Sequence, residues 1–191
     1  MSREPVAGPS VSAASERFEV LFRAHYSSVL AYAMRRIDRQ QAEDVVAETF
    51  AVAWRRLPVV PDDELPWLYG VARRTIANQR RGNRRRAALI LRLGREAPSA
   101  DRPAVADGIA DREAVAAALG RLSERDREAL RLVAWEGLER ERAARAAGCS
   151  TGAFAVRLHR ARRRLVKELA AAGHIPTEDR TRTEAARTGE A

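Results

Sequence analysis

Apolar residues recur at three- and four-residue steps through most of the chain, the spacing that gathers them on one face of an α-helix. From Glu16 the series Phe18, Leu21, Phe22, Tyr26, Val29, Leu30, Ala33, Ile37 predicts a first helix with a core-facing stripe. Asp38 is placed to cap a second helix, whose buried stripe is Ala42, Val45, Val46, Phe50, Ala53 and Leu57. Pro58, Pro61 and acidic residues mark Leu57 to Leu65 as a loop. Pro66 suits the first turn of a third helix, expected over Pro66 to Arg85, with Leu68, Val71, Ala72, Thr75 and Ile76 on its apolar side.

The pattern then lapses. Residues 87–110 hold Pro98, Ser99, Asp101, Pro103, Asp107 and Gly108 and read as a linker, although Leu89 to Leu93 can extend the helix before it. Helical spacing returns near Asp111 with Val115, Leu119 and Leu122. Ser123, with Asp126 three residues on, resembles a capping box, and the helix behind it is expected to bury Leu130, Leu132, Val133 and Trp135 before Gly137 ends it. Leu138 to Leu165 reads as helix, turn, helix. Gly148 can take the left-handed conformation that closes the first helix, Ser150 can cap the second, and Phe154, Leu158, Ala161 and Leu165 form the inward stripe. The small residues Ala143, Ala146 and Ala147 let helices approach closely, and Cys149 is expected as a buried thiol in the turn.

The fold class is therefore all-α, with two small helical domains joined by a flexible linker and a helix-turn-helix in the second. The expected layout is a disordered tail at 1–15, a first domain at 16–86, the linker at 87–110, a second domain at 111–172 and a disordered tail at 173–191.

Charge narrows the function. The formal net charge is +9, and Lys167 is the only lysine among 35 basic residues. Such a balance favours a polyanion partner. One cysteine, Cys149, excludes an internal disulfide and a cysteine-rich zinc site. No secretory leader or long apolar run is recognised, so a cytoplasmic, monomeric protein without membrane insertion is expected.

The charge is unevenly placed. Glu43, Asp44 and Glu48 give the second helix an acidic face, either an ordinary solvated surface or a docking face for a partner helix. From Trp67 to Arg86 there are seven arginines and no acid, interleaved with Trp67 and Tyr69. That mixture suits stacking on unpaired bases while holding phosphates. From Cys149 to Leu165 there is again no acid, while Arg157, Arg160, Arg162, Arg163 and Arg164 are all basic. A helix-turn-helix with a basic second helix suits a DNA major groove. No phosphate-cradling glycine loop, nucleophile elbow or zinc-type histidine spacing occurs, and His25, His159 and His174 are scattered. Neither catalytic residues, a cofactor nor a metal site are expected.

Three motifs together resemble a known family. Ala42-Glu43-Asp44-Val45-Val46-Ala47-Glu48-Thr49-Phe50 with Ala53-Trp54 resembles the core-polymerase-binding helix of bacterial sigma factors. Pro66-Trp67-Leu68-Tyr69-Gly70-Val71-Ala72-Arg73 and the basic run behind it resemble their promoter-melting helix. Leu122 to Glu128 and the helix-turn-helix ending in Arg157-Leu158-His159-Arg160-Ala161-Arg162 resemble their second DNA-binding domain. Two such domains with a linker between them look like the extracytoplasmic-function subgroup of the sigma-70 family.

The resemblance implies roles. Glu43, Asp44, Glu48 and Thr49 would bind core RNA polymerase, with Asp44 and Glu48 foremost. Trp67, Tyr69, Arg73, Arg74, Asn78, Arg80 and Arg81 would open the minus-ten promoter element and hold its melted non-template strand. Ser150, Thr151, Arg157, His159, Arg160 and Arg163 would contact the duplex minus-thirty-five element. An anti-sigma factor would be the regulator. Some positions depart from the family's pattern: Ala47 replaces a common Gln, Arg74 a common Asn, and Arg142 a usual acid, while Ala155 and Val156 replace a Lys or Arg and a Ser. The alternatives are a stand-alone helix-turn-helix regulator and a sigma-like protein acting mainly through protein contacts.

Overall fold

A computed structural model describes residues 11–92 and 110–173, which form two compact units. The first contains α1 (Val11–Met34), α2 (Arg39–Arg55), a 3-10 turn at Leu57–Val59 and α3 (Glu64–Arg92). The second contains α4 (Ala110–Arg121), α5 (Glu124–Ala134), the first residues of α6 (Arg140–Ala147) and α7 (Thr151–Ala171). No strand occurs among the described residues.

In the first unit α1, α2 and α3 pack on one another. The Asp38 carboxylate accepts from the Gln41 backbone N–H at 2.9 Å and so starts α2 where the sequence placed it. All six residues of the predicted α2 stripe are buried, Leu57 from the turn beyond the helix. At the centre, Tyr32 of α1 stacks on Tyr69 of α3, with ring centroids 4.6 Å apart and planes 16° from parallel. The Arg36 guanidinium lies 3.5 Å from the Tyr32 centroid and donates to the Tyr32 carbonyl at 2.8 Å. A cation over a ring shielded from water is strongly held. Arg80 of α3 donates to the Arg36 carbonyl at 2.7 Å, which fastens the end of α1 to the middle of α3.

Two helices are longer than the hydrophobic pattern predicts. α1 starts at Val11, so residues 11–15 of the expected tail are helical; Ser12 Oγ donates to Glu16 Oε1 at 3.0 Å within this extension. α3 begins at Glu64 and continues to Arg92, so residues 87–92 of the expected linker are helical. Its 29 residues span about 44 Å. Ala87, Ala88 and Leu89 are strong helix formers, and no proline follows Pro66 within the helix. The rest of the expected tails and linker lies outside the described residues.

In the second unit α7 packs on α4 and α5 through Phe154, Leu158 and Ala161, all buried. Ser123 caps α5 by accepting from the Asp126 N–H at 3.2 Å. The Asp126 carboxylate, itself buried, pairs with Arg164 of α7. Arg127 donates to the carbonyls of Leu119, Gly120 and Leu122 at 2.8, 2.9 and 3.1 Å. These carbonyls lie at and just beyond the end of α4, so one guanidinium joins α4 to α5. Gly148 ends α6 at φ +67°, with Cys149 N–H donating to the Ala144 carbonyl at 3.1 Å in a Schellman closure. Two expectations fail here. Trp135 is 48% exposed at the C-cap of α5, and Cys149 is only half-buried.

The Tyr32–Tyr69 stack predicts a contrast in stability. Tyr69→Ala is expected to lower the stability of the first unit by about 3–5 kcal/mol in urea unfolding of the full chain. The nearby exposed change Arg74→Ala is expected to stay within about 0.5 kcal/mol.

Candidate nucleic-acid interface

Helix α2 turns Asp44 and Glu48 outward, one turn apart, opposite the buried stripe of Val45, Val46 and Thr49. Glu43 lies on the flank of the same surface. Glu43 accepts from Arg39 at 3.3 Å and Glu48 from Arg55 at 2.9 Å. Exposed pairs of this kind contribute little and exchange readily for a partner's cations. No ion pair to Asp44 is found among the described residues. Trp54, 45% exposed, packs edge-on to Phe18 at 5.2 Å and extends the surface with an apolar border.

Helix α3 divides its basic residues into two stripes. Trp67, Arg74, Asn78, Arg81 and Arg85 recur at steps of seven, four, three and four and share the outward face. Arg73, Arg80 and Arg84 run along its side. Arg74, Asn78, Arg81, Arg84, Arg85 and Arg86 are exposed, Trp67, Arg73 and Arg80 partly so. Partial burial, then the positive charges of Arg73 and Arg56, pull the Arg74 guanidinium below its ordinary pKa; at neutral pH it remains a cation. The three guanidiniums lie close enough to repel one another. Arg56, at the C-terminal cap of α2, was not picked out from the sequence; its signal is the Arg55-Arg56 doublet at the helix end.

Helix α7 is opened by Ser150, whose hydroxyl accepts from the Ala153 N–H at 3.3 Å. Opposite its buried stripe, Gly152, Val156, His159 and Arg163 recur at four-, three- and four-residue steps and are exposed, with Arg160 and Lys167 beside them. Thr151 is exposed at the helix start. Arg157 is half-buried and reaches back to Cys149 Sγ at 3.7 Å.

The two units correspond to two families of sequence. Residues 21–86 match the model of sigma-70 region 2, and residues 112–165 match that of sigma-70 region 4. Over 166 residues, 84% of this chain and 94% of the relative, the chain is 32% identical to the ECF RNA polymerase sigma factor SigL of Mycobacterium tuberculosis. The chain belongs to the extracytoplasmic-function group of the sigma-70 family. As a sigma factor it directs promoter-specific initiation of transcription. Solved relatives have the same fold. The sigma factor RpoE, in complex with the anti-sigma factor NepR from Bartonella quintana, is 26% identical at a TM-score of 0.60, covering 81% of this chain and 98% of that one. CnrH, in complex with the cytosolic domain of CnrY, is 29% identical at a TM-score of 0.55, covering 84% and 94%.

Within this sigma factor, two residues expected at its surfaces are structural. Thr49 is fully buried and donates to the Val45 carbonyl at 2.7 Å, because it falls on the inward stripe of α2. It cannot belong to a docking surface. Tyr69 is 3% exposed and occupied by the Tyr32 stack, so it supports α3 from beneath and cannot stack on a base from there. Arg80 is part-buried and tied to the Arg36 carbonyl, and Arg73 is part-buried as well, which leaves Arg74 and Arg81 the more exposed cations. His25, read from sequence as a surface or packing residue, has Nε2 2.8 Å from Glu64 Oε2 and joins α1 to the start of α3. Among the described residues no group of three His, Cys, Asp or Glu side chains is placed to hold a metal ion, and no helix is long and apolar enough to cross a membrane.

Adjacent arginines of α7 are expected to separate fold from binding. Arg164→Ala strands the buried Asp126 carboxylate and is expected to lower the stability of the second unit by about 1–3 kcal/mol. Arg163→Ala is expected to leave stability within about 0.5 kcal/mol. In duplex binding it is expected to reduce the slope of log affinity against log salt by about 0.9. Paired urea and salt titrations of the two variants check this.

Proposed function

We propose that this sigma factor divides its work among three surfaces. The outward face of α2, with Asp44 and Glu48 at its centre and Glu43 beside them, docks on core RNA polymerase. The outward stripe of α3, Trp67, Arg74, Asn78 and Arg81, with Arg73 and Arg80 beside it, holds the melted non-template strand of the minus-ten element. Arg56 joins Arg73 and Arg74 in gripping its phosphates. The exposed face of α7, with Ser150, Thr151, His159, Arg160 and Arg163, enters the major groove of the minus-thirty-five element, and Arg157 steadies the turn that precedes it.

The observation that carries this division is the separation of charge within the first unit. An acidic face and an arginine-rich face lie on different helices of one small core. An acidic face would repel DNA, so it is matched to a basic protein surface; the arginine stripes are matched to phosphate. The chain carries out no catalysis of its own and acts in the cytoplasm, on a polymerase that supplies the chemistry. An anti-sigma factor is its regulator; the complexes of RpoE with NepR and of CnrH with CnrY support this.

Asp44→Lys with Glu48→Lys is expected to reduce binding to core polymerase at least tenfold in a pull-down with purified enzyme, with the circular dichroism spectrum unchanged and duplex DNA binding not weakened. Equal binding by the variant and the parent would remove the α2 face from the interface. Tight, promoter-selective binding to duplex DNA by the chain alone would favour a stand-alone regulator.

A further inference from the structure

The centre of the α7 face is apolar. Val156 is 51% exposed, one turn beyond Gly152 and one turn before His159 and Arg160. Its neighbours on this surface are basic or small, and no acid lies between Cys149 and Leu165. A half-exposed valine among cations is not part of the core, which Phe154, Leu158 and Ala161 fill from the other side. Gly152 is also exposed, and a methyl group added there would meet nothing within 4 Å. Alanine would fit this position in the free protein and favour the helix. Glycine instead leaves the backbone bare beside Val156, so the start of the helix can come closer to a surface. Val166 is exposed too, at 52%, but it lies ten residues further on, about 15 Å along the axis. Recognition helices read bases with their N-terminal residues.

The major groove offers one apolar group at base-pair edges, the thymine C5-methyl. We propose that Val156 reads a thymine methyl in the upstream duplex element, and that Gly152 permits the close approach this contact needs. The inference rests on α7 entering that duplex. It makes Val156 a specificity-determining residue that works by apolar contact, where His159, Arg160 and Thr151 use hydrogen bonds.

Deoxyuridine tests it, since it keeps every hydrogen-bonding group of thymine and lacks only the methyl. The full chain with core polymerase first selects active promoters from a library randomised across the upstream duplex. Each thymine of the selected element, on either strand, is then replaced singly by deoxyuridine, and initiation is measured. With the parent protein, one or two replacements are expected to reduce initiation about fourfold, the effect of losing one buried methyl group. With Val156→Ala, whose site is exposed and whose fold is checked by urea unfolding, thymine and deoxyuridine are expected to perform alike at those positions. Indifference of the parent to every replacement overturns the inference, as does the same sensitivity in Val156→Ala or a selected element without an A·T pair. If scrambling the whole upstream duplex leaves initiation unchanged, the placement of α7 itself fails. If scrambling abolishes initiation while deoxyuridine has no effect, that placement stands and the role of Val156 falls.

Discussion

The stack of Tyr32 on Tyr69 is the contact on which the first unit depends. Tyr69 lies near the start of α3, and its ring is held between helices while Arg36 holds Tyr32 through its carbonyl and its ring. That anchoring lets α3 do two jobs. Its first turns are part of the core, through Leu68, Val71, Ala72 and Ile76. Its later turns carry arginines whose like charges repel one another. The bond from Arg80 to the Arg36 carbonyl extends the support along the helix.

The second unit solves a similar problem with charged struts. α7 has to keep a basic face toward solvent and still be fixed to its domain. Phe154, Leu158 and Ala161 supply the apolar contact, and Arg164 adds a pair to the buried Asp126. Arg127 closes the end of α4. Arginine therefore serves two purposes in this chain, and neighbouring residues can differ completely in role. Arg163 faces outward on the exposed side of α7, while Arg164 reaches toward α5.

The helices were legible in the sequence because apolar spacing is a local signal, although Phe22 and Tyr26 of the α1 stripe are exposed, and Asp38, Ser123, Gly148 and Ser150 each act in the structure as their chemistry requires. The surfaces were less legible. Thr49 and Tyr69 carry polar atoms, which hid that both fall on inward stripes. The alternation of apolar and polar residues assigns a face only roughly when a hydroxyl can be satisfied by its own helix, as Thr49 is by Val45. The closeness of Arg56 to Arg73 and Arg74 and the His25–Glu64 contact depend on residues far apart in the chain coming together. The apolar pattern weakens over residues 87–92, where Leu89 to Leu93 can still extend the helix, and α3 does continue to Arg92 on strong helix formers.

The central claim is that an anchored arginine helix and a basic recognition helix work together on one polymerase-bound subunit. Transcription start sites mapped in vitro, from a genomic promoter library with purified core polymerase with and without this chain, test it most directly. The account predicts a set of start sites that appear only when the chain is present. Those sites should share two elements at a fixed spacing, an upstream duplex one and a melted one near the start. Start sites that are unchanged by the chain, or that share only one element, would contradict it.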